Sequence, residues 1–182
     1  MRVIKRKLFF AWQFEEEEAW LNEMSKKGLH LVAVSPLQIK YEFEKLENKE
    51  YTYRIEFLED LPSSRKGQDY LNFLDELEIE QVGSYIRWVY LRKDKAKGIF
   101  ELHSDVKSKI EHYKRIRMLF LVFTPLMVAN VINMINLYSR AKSSFSLLPT
   151  GLTIIVTTLL ANGIWIMNNK IKELNSKSGI WE

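Results

Sequence analysis

Two stretches of the chain are apolar and carry no charge at all, residues 118–137 and 148–167. Elsewhere apolar and polar positions alternate or recur at helical spacing. Within residues 3–12, Leu8, Phe10 and Trp12 fall on one side of a period of two, which predicts a strand. Residues 15–27 predict a helix. Trp20, Leu21 and Met24 form its apolar stripe, Glu15 to Glu18 suit its N-terminal dipole, Lys26 and Lys27 suit its other end, and Gly28 supplies a stop. Residues 29–34 are a short apolar run. Ser35-Pro36 interrupts it, because proline cannot donate to a central ladder.

The clearest expected hairpin comes next. Ile39, Tyr41 and Phe43 alternate with Lys40, Glu42 and Glu44, and Tyr51, Tyr53, Ile55 and Phe57 alternate with Thr52, Arg54 and Glu56, across a polar linker. Residues 61–67 read as a loop. Residues 68–77 read as a second helix with Tyr70, Leu71, Phe73, Leu74 and Leu77 inward, and residues 80–93 as one final strand. Residues 94–98 form a turn, and Ser104-Asp105 cap a helix that runs unbroken into the first apolar stretch. The order is β-α-β-β-α-β, with the second strand split at Pro36. It predicts an α+β, ferredoxin-like domain followed by a two-helix transmembrane hairpin.

Each apolar stretch is 20 residues long. At about 1.5 Å per residue, each can cross a hydrocarbon core of roughly 30 Å. Pro149 suits the first turn of the second span, and Pro125 is expected to kink the first. Thr153 and Thr157 are expected to bond their own helix. Tyr113, Tyr138 and Trp165 sit near span ends, where amphipathic rings favour the interface. The expected organisation is a cytoplasmic α+β domain (residues 1–105), a basic juxtamembrane helix (106–117), a first span (118–137), a short external loop (138–147), a second span (148–167) and a cytoplasmic tail (168–182).

Charge supports that topology. Residues 1–86 hold 12 Lys/Arg and 17 Asp/Glu, a net of −5; residues 87–117 hold 10 and 4, a net of +6; residues 118–182 hold 5 and 2, a net of +3. An acidic head thus meets a basic collar of Lys107, Lys109, Lys114, Arg115 and Arg117, which suits the anionic lipid of an inner membrane. The loop carries only Arg140 and Lys142, and Lys170, Lys172 and Lys177 follow the second span. The bias places both termini in the cytoplasm, in a multi-pass protein of the inner membrane. The apolar run at residues 8–12 is too short for a secretory h-region.

The search for chemistry is mostly negative. There is no cysteine, and none of His30, His103 and His112 has a second ligand one helical turn away. No phosphate-cradling glycine loop is present, so neither cofactor nor metal is expected, and no enzymatic activity. Glu15 to Glu18 read as a solvated acidic helix start, since consecutive helical residues point in different directions and cannot converge on one ion. The acidic head argues against direct nucleic-acid binding. Two polar sets remain. Arg54, Glu56 and Arg87, with His30 near, are read either as a cross-strand ion-pair ladder or as a recognition face for a partner or ligand. Asn130, Asn133 and Asn136, with Asn162 in the second span, are read as hairpin glue, a homodimer contact or a docking surface for a membrane partner.

Several of these segments carry a resemblance. Trp12-Gln-Phe14, Glu16-Glu17-Glu18-Ala19-Trp20-Leu21 and Gly28-Leu29-His30-Leu31, then Tyr41-Glu-Phe43-Glu44, Tyr51-Thr-Tyr53-Arg54-Ile55-Glu56 and Trp88-Val-Tyr90, resemble the bacterial family known as domain of unknown function 2812, over roughly residues 5–105. The resemblance implies a regulatory or accessory role at the membrane, because members are often encoded beside PadR-type transcription regulators or transporters. It implies no catalytic residue. Three functions are therefore expected in turn: a membrane-anchored regulator whose sheet domain recruits a soluble partner such as a PadR-type repressor, an accessory subunit docking on a transporter through its spans, or a small-ligand sensor.

Overall fold

A computed structural model describes residues 2–35, 39–46, 49–103, 105–141 and 147–178. The expected break at Pro36, the cap at Ser104 and the loop cation Lys142 lie outside the described residues. The chain forms two compact units, residues 1–104 and 105–182. The first is α+β: β1 (Arg2–Arg6), α1 (Phe14–Lys26), β2 (Leu29–Ser35), β3 (Lys40–Lys45), β4 (Tyr51–Phe57), α2 (Arg65–Glu76), β5 (Glu80–Tyr85) and β6 (Trp88–Asp94). The second consists of two long apolar helices, α3 (Val106–Ala141) and α4 (Leu147–Ser178).

Two antiparallel three-stranded sheets make up the first unit, in the orders β1-β3-β2 and β4-β6-β5. The same β-α-β-β motif is used twice, and its third strand is central each time. Both second strands carry a register shift, between Leu31 and Ala33 in β2 and between Gln81 and Gly83 in β5. These two strands approach closely: a Cβ on Gly83 would lie 2.6 Å from Val34 Cγ1. The β-α-β-β-α-β order is compatible with this arrangement, and three local expectations are corrected by it.

Residues 80–93 form two strands joined by Ile86 and Arg87, with Tyr85 paired to Trp88. Ile86 takes φ 56°, a left-handed conformation that a β-branched residue gives no sequence warning of. The alternating runs around Tyr41 and Tyr53 do not pair with each other. β3 joins β1 and β2, while β4 joins β6. Alternation marks a half-buried strand without naming its neighbour. The first strand ends at Arg6, and Ala11–Gln13 forms a single 3-10 turn fixed by Phe10 N–H donating to Gln13 Oε1 at 3.0 Å.

α1 follows its sequence signals, whereas α2 begins inside the segment expected as a loop and turns Phe73 and Leu77, expected inward, to the surface. α1 ends where Gly28 turns to φ 73° and accepts from Leu46 N at 3.1 Å. α2 starts at Ser64, whose Oγ accepts from Gly67 N at 3.1 Å, and it covers a core of Leu58, Leu71, Leu74, Ile79, Val89, Leu91 and Phe100.

α3 and α4 each contain a segment long and apolar enough to cross a membrane. They pack on each other as a hairpin. Among the less exposed positions, Phe120, Thr124, Met127, Val131 and Met134 in α3 and Thr153, Thr157, Leu160, Ile164, Met167 and Ile171 in α4 recur at three-four spacing. That spacing suits a seam between two packed helices. Asp105 caps α3 by accepting from Ser108 N at 2.8 Å. Thr153 and Thr157 donate to Thr150 O and Thr153 O, and Pro125 stands inside α3 without ending it.

Candidate functional site

β4 is the edge of its sheet, and an edge strand exposes a row of unpaired backbone groups. α1 covers that row. Tyr51 N donates to Ser25 Oγ at 2.7 Å, Tyr53 N to Asn22 Oδ1 at 2.8 Å, and Ile55 N to Glu18 Oε1 at 2.7 Å. Asn22 Nδ2 also donates to Tyr53 O at 3.2 Å. Positions 18, 22 and 25 share one helix face, while 51, 53 and 55 share one strand edge, so two periodicities mesh. The helix acts as a neighbouring strand made of side chains. Glu18 is drawn out of water by this role. Burial pushes its carboxyl pKa up to about 7, against the opposing effects of the Ile55 N–H and the nearby Arg54 charge.

One residue earlier, Glu17 points elsewhere. It is buried and lines a cavity of about 140 Å³. Tyr41 Oη and Tyr90 Oη both donate to its Oε1, at 2.7 and 2.8 Å. Its Oε2 receives no hydrogen bond from a described residue. The cavity is built from both motifs: residues 7–11 after β1, Phe14 and Glu17 of α1, Tyr41 of β3, Ile55 of β4, Tyr85 of β5, and Trp88 and Tyr90 of β6. Its walls are aromatic and ordered by ring contacts, with Trp88 against Phe14 at 5.9 Å and against Phe57 at 4.9 Å. Lys7 also lines it, but its ammonium lies over the rings of Phe9 and Trp20, at 4.7 and 5.2 Å from their centroids.

Electrostatically the floor is a buried carboxyl held by two phenols. Desolvation raises the Glu17 pKa, and the two tyrosine hydrogen bonds oppose it. Burial and the facing Glu17 charge push both phenols far above their ordinary value, so Tyr41 and Tyr90 stay donors throughout the physiological range. Glu17 and Glu18 are thus not the solvated helix start expected of them. The packing of α1 on the sheets removes both from water, and each is put to a different use.

The residues expected to form a recognition face are not gathered into one. His30 is fully buried in β2. Its Nε2 lies 3.2 Å from Leu46 O, its ring stands edge-on to Tyr51 at 5.0 Å, and desolvation lowers its pKa. Glu56 is buried and accepts from Tyr70 Oη at 2.7 Å. Arg54 Nη1 donates to Tyr53 O at 2.9 Å. Arg87 sits in the β5–β6 turn, donates through Nε to Leu58 O at 2.7 Å and covers the Phe57 ring at 4.4 Å.

In the second unit, the collar residues Lys107, Lys109, Lys114, Arg115 and Arg117 occupy the first turns of α3, and Arg117 Nη1 donates to Asn168 Oδ1 at 2.8 Å. Asn130, Asn133, Asn136 and Asn162 are exposed and stand outside the α3–α4 seam.

No curated protein and no solved structure matches the chain. A family model, that of a protein of unknown function (DUF2812), matches residues 13–124. The matched segment takes in α1 with Glu17 and Glu18, every other described strand and helix of the first unit except β1, and the first half of α3. It covers more than half of the 182 residues, and the chain therefore belongs to the DUF2812 family.

Proposed function

We propose that this protein is a non-enzymatic, membrane-anchored sensor whose head domain binds a small molecule in the Glu17 cavity. One observation carries the reading: a half-open aromatic cavity holds a buried carboxyl with one oxygen left over. Concave, mainly apolar sites with a few convergent polar groups are the usual form of a ligand site. The collar and the basic tail, set against a short weakly charged loop, support a head and termini on the cytoplasmic side of the inner membrane. Recruitment of a soluble partner such as a PadR-type regulator would then be the output of ligand binding, by differential affinity for two states.

The test is thermal unfolding of the full chain in an uncharged detergent, followed by tryptophan fluorescence across a metabolite panel. At least one compound raises the melting temperature, and Ala11→Phe, which fills the cavity, removes the rise. Flat melting across the panel would sink the reading.

A second reading has its own observation. The exposed Asn130, Asn133 and Asn136 remain available to a helix outside the hairpin, which supports docking on a membrane partner such as a transporter subunit, or on a second copy. Replacing all three with leucine abolishes crosslinking to that partner while leaving ligand binding in the head intact.

A further inference from the structure

We propose that the Glu17 cavity selects a compact organic cation, an alkylammonium with small apolar substituents. This rests on the ligand-binding reading above and gives its ligand a chemical class.

The first argument is charge. Glu17 is buried and has no cation partner among the described residues; its two close partners are the phenols of Tyr41 and Tyr90. Both donate to the same oxygen, so Oε2 is left to face whatever enters. An anion or a carboxylate is disfavoured there. The one cationic side chain in the lining, Lys7, has its ammonium stacked over Phe9 and Trp20 instead.

The second argument is the wall. Phe10, Phe14, Tyr85 and Trp88 line the space above the carboxyl. Aromatic faces carry negative quadrupole charge and attract a cation most strongly where water is excluded. A neutral apolar guest would gain the same surface burial and lose that attraction. Size agrees: about 140 Å³ is room for an ammonium with methyl or ethyl arms.

Binding of a cation and ionisation of Glu17 are linked. Burial holds the Glu17 carboxyl above its ordinary pKa, so a cation that favours the ionised form must drive off a proton. The groups facing Glu17 are Tyr41 from β3, Tyr90 from β6, Tyr85 from β5, Lys7 from the segment after β1, and Glu18 beside it on α1. Both phenols that touch it stay protonated, which leaves Glu17 and its neighbour Glu18 as the titrating carboxyls, and Glu17→Gln tells them apart.

The test uses the full chain in an uncharged detergent. Tetramethylammonium and choline are titrated against 3,3-dimethylbutan-1-ol, which has the shape of choline with carbon in place of nitrogen, and binding is read by calorimetry and by melting temperature. Choline is expected to bind at least about tenfold more tightly than the alcohol. It should bind more tightly as pH rises above the ordinary carboxylate range, with proton release seen as buffer-dependent heat. Glu17→Gln keeps an oxygen for both phenols, so it should fold, lose the preference for choline and lose the proton release. Trp88→Leu, with Glu17 intact, should weaken choline more than the alcohol.

Equal binding of choline and the alcohol, or binding of the alcohol alone, overturns the cation class and leaves the ligand site standing. Preference for choline that survives Glu17→Gln overturns the role of the carboxyl. Absence of binding by every probe, together with flat melting on the wider panel, removes both this inference and the ligand-binding reading.

Discussion

Glu18→Gln separates the charge of Glu18 from its hydrogen bond. The wild-type carboxyl accepts from Ile55 N at 2.7 Å while the packing of α1 takes it out of water, and its pKa rises from 4.5 to about 7. A carboxyl whose folded-state pKa exceeds its unfolded value favours folding when protonated. The full contribution is present below the unfolded value, is lost as pH rises through the folded one, and is absent at pH 8. At about 1.36 kcal/mol per pH unit, and allowing for the partial exposure of the side chain, the loss comes to about 2–3 kcal/mol. Glutamine keeps an acceptor for Ile55 N and cannot ionise. Wild type and variant should therefore melt together near pH 5, while the variant melts roughly 10 °C higher at pH 8, given about 4–8 °C per kcal/mol for a domain of this size. The assay is thermal unfolding of the full chain in an uncharged detergent at pH 5, 6, 7 and 8. Glu17 shifts in the same direction, so the variant retains a shallower slope that Glu17→Gln added to it removes. Parallel curves for wild type and variant across that range would refute the account of Glu18 as a desolvated edge-strand partner.

Three further outcomes follow from the same packing. Asn22→Ala strips Tyr53 N of its acceptor beneath the helix and should cost about 2–4 kcal/mol, read by denaturant titration, with faster hydrogen exchange at the Tyr53 amide than at the Tyr90 amide. Gly67→Ala would put a Cβ 2.1 Å from Leu61 O, a backbone atom that cannot step aside, so the N-terminus of α2 should shift and the melting temperature should fall further than it does for Ser64→Ala, which costs roughly 1 kcal/mol as a lost cap. Ile86→Gly removes a β-branched side chain from φ 56° at an exposed turn and should stabilise the head by about 0.5–1 kcal/mol; a lower melting temperature would show that the turn is unstrained.

Element identity was legible in this sequence wherever one residue type dictated it. Gly28 stops α1, Asp105 caps α3, and two uncharged runs become the cores of α3 and α4, whereas the cap at Ser64 lay inside a segment expected as a loop. Strand partnership was not legible. The runs around Tyr41 and Tyr53 alternate cleanly, yet they lie in different sheets because each is claimed by a closer complement within its own β-α-β-β motif. The β5–β6 turn was hidden because its positive φ falls on Ile86 rather than on glycine or asparagine. In the spans the asparagines drew attention as polar residues in an apolar setting. Less exposed positions recur there at three-four spacing as Thr124, Met127, Val131 and Met134, a row that composition alone does not distinguish.

The site itself was written in the first helix in a form that an acidic run conceals. Phe14, Glu17, Leu21 and Met24 recur at steps of three and four and are all buried, so Glu17 is a charge placed in the apolar stripe rather than ahead of it. Glu18, Asn22 and Ser25 make a second row one residue on, polar throughout, and it is this row that meets the edge of β4. Neighbouring residues on a helix diverge by about 100°. That divergence is why two adjacent glutamates cannot bind one ion. It is also why they can do two things at once, one closing a sheet edge and the other flooring a cavity. A helix that must satisfy an edge strand is held in register by three side-chain bonds, and that register fixes where Glu17 stands beneath Tyr41 and Tyr90. The sheet-edge repair thus positions the carboxyl, which makes Asn22 and Ser25 positioning residues for any ligand the cavity takes.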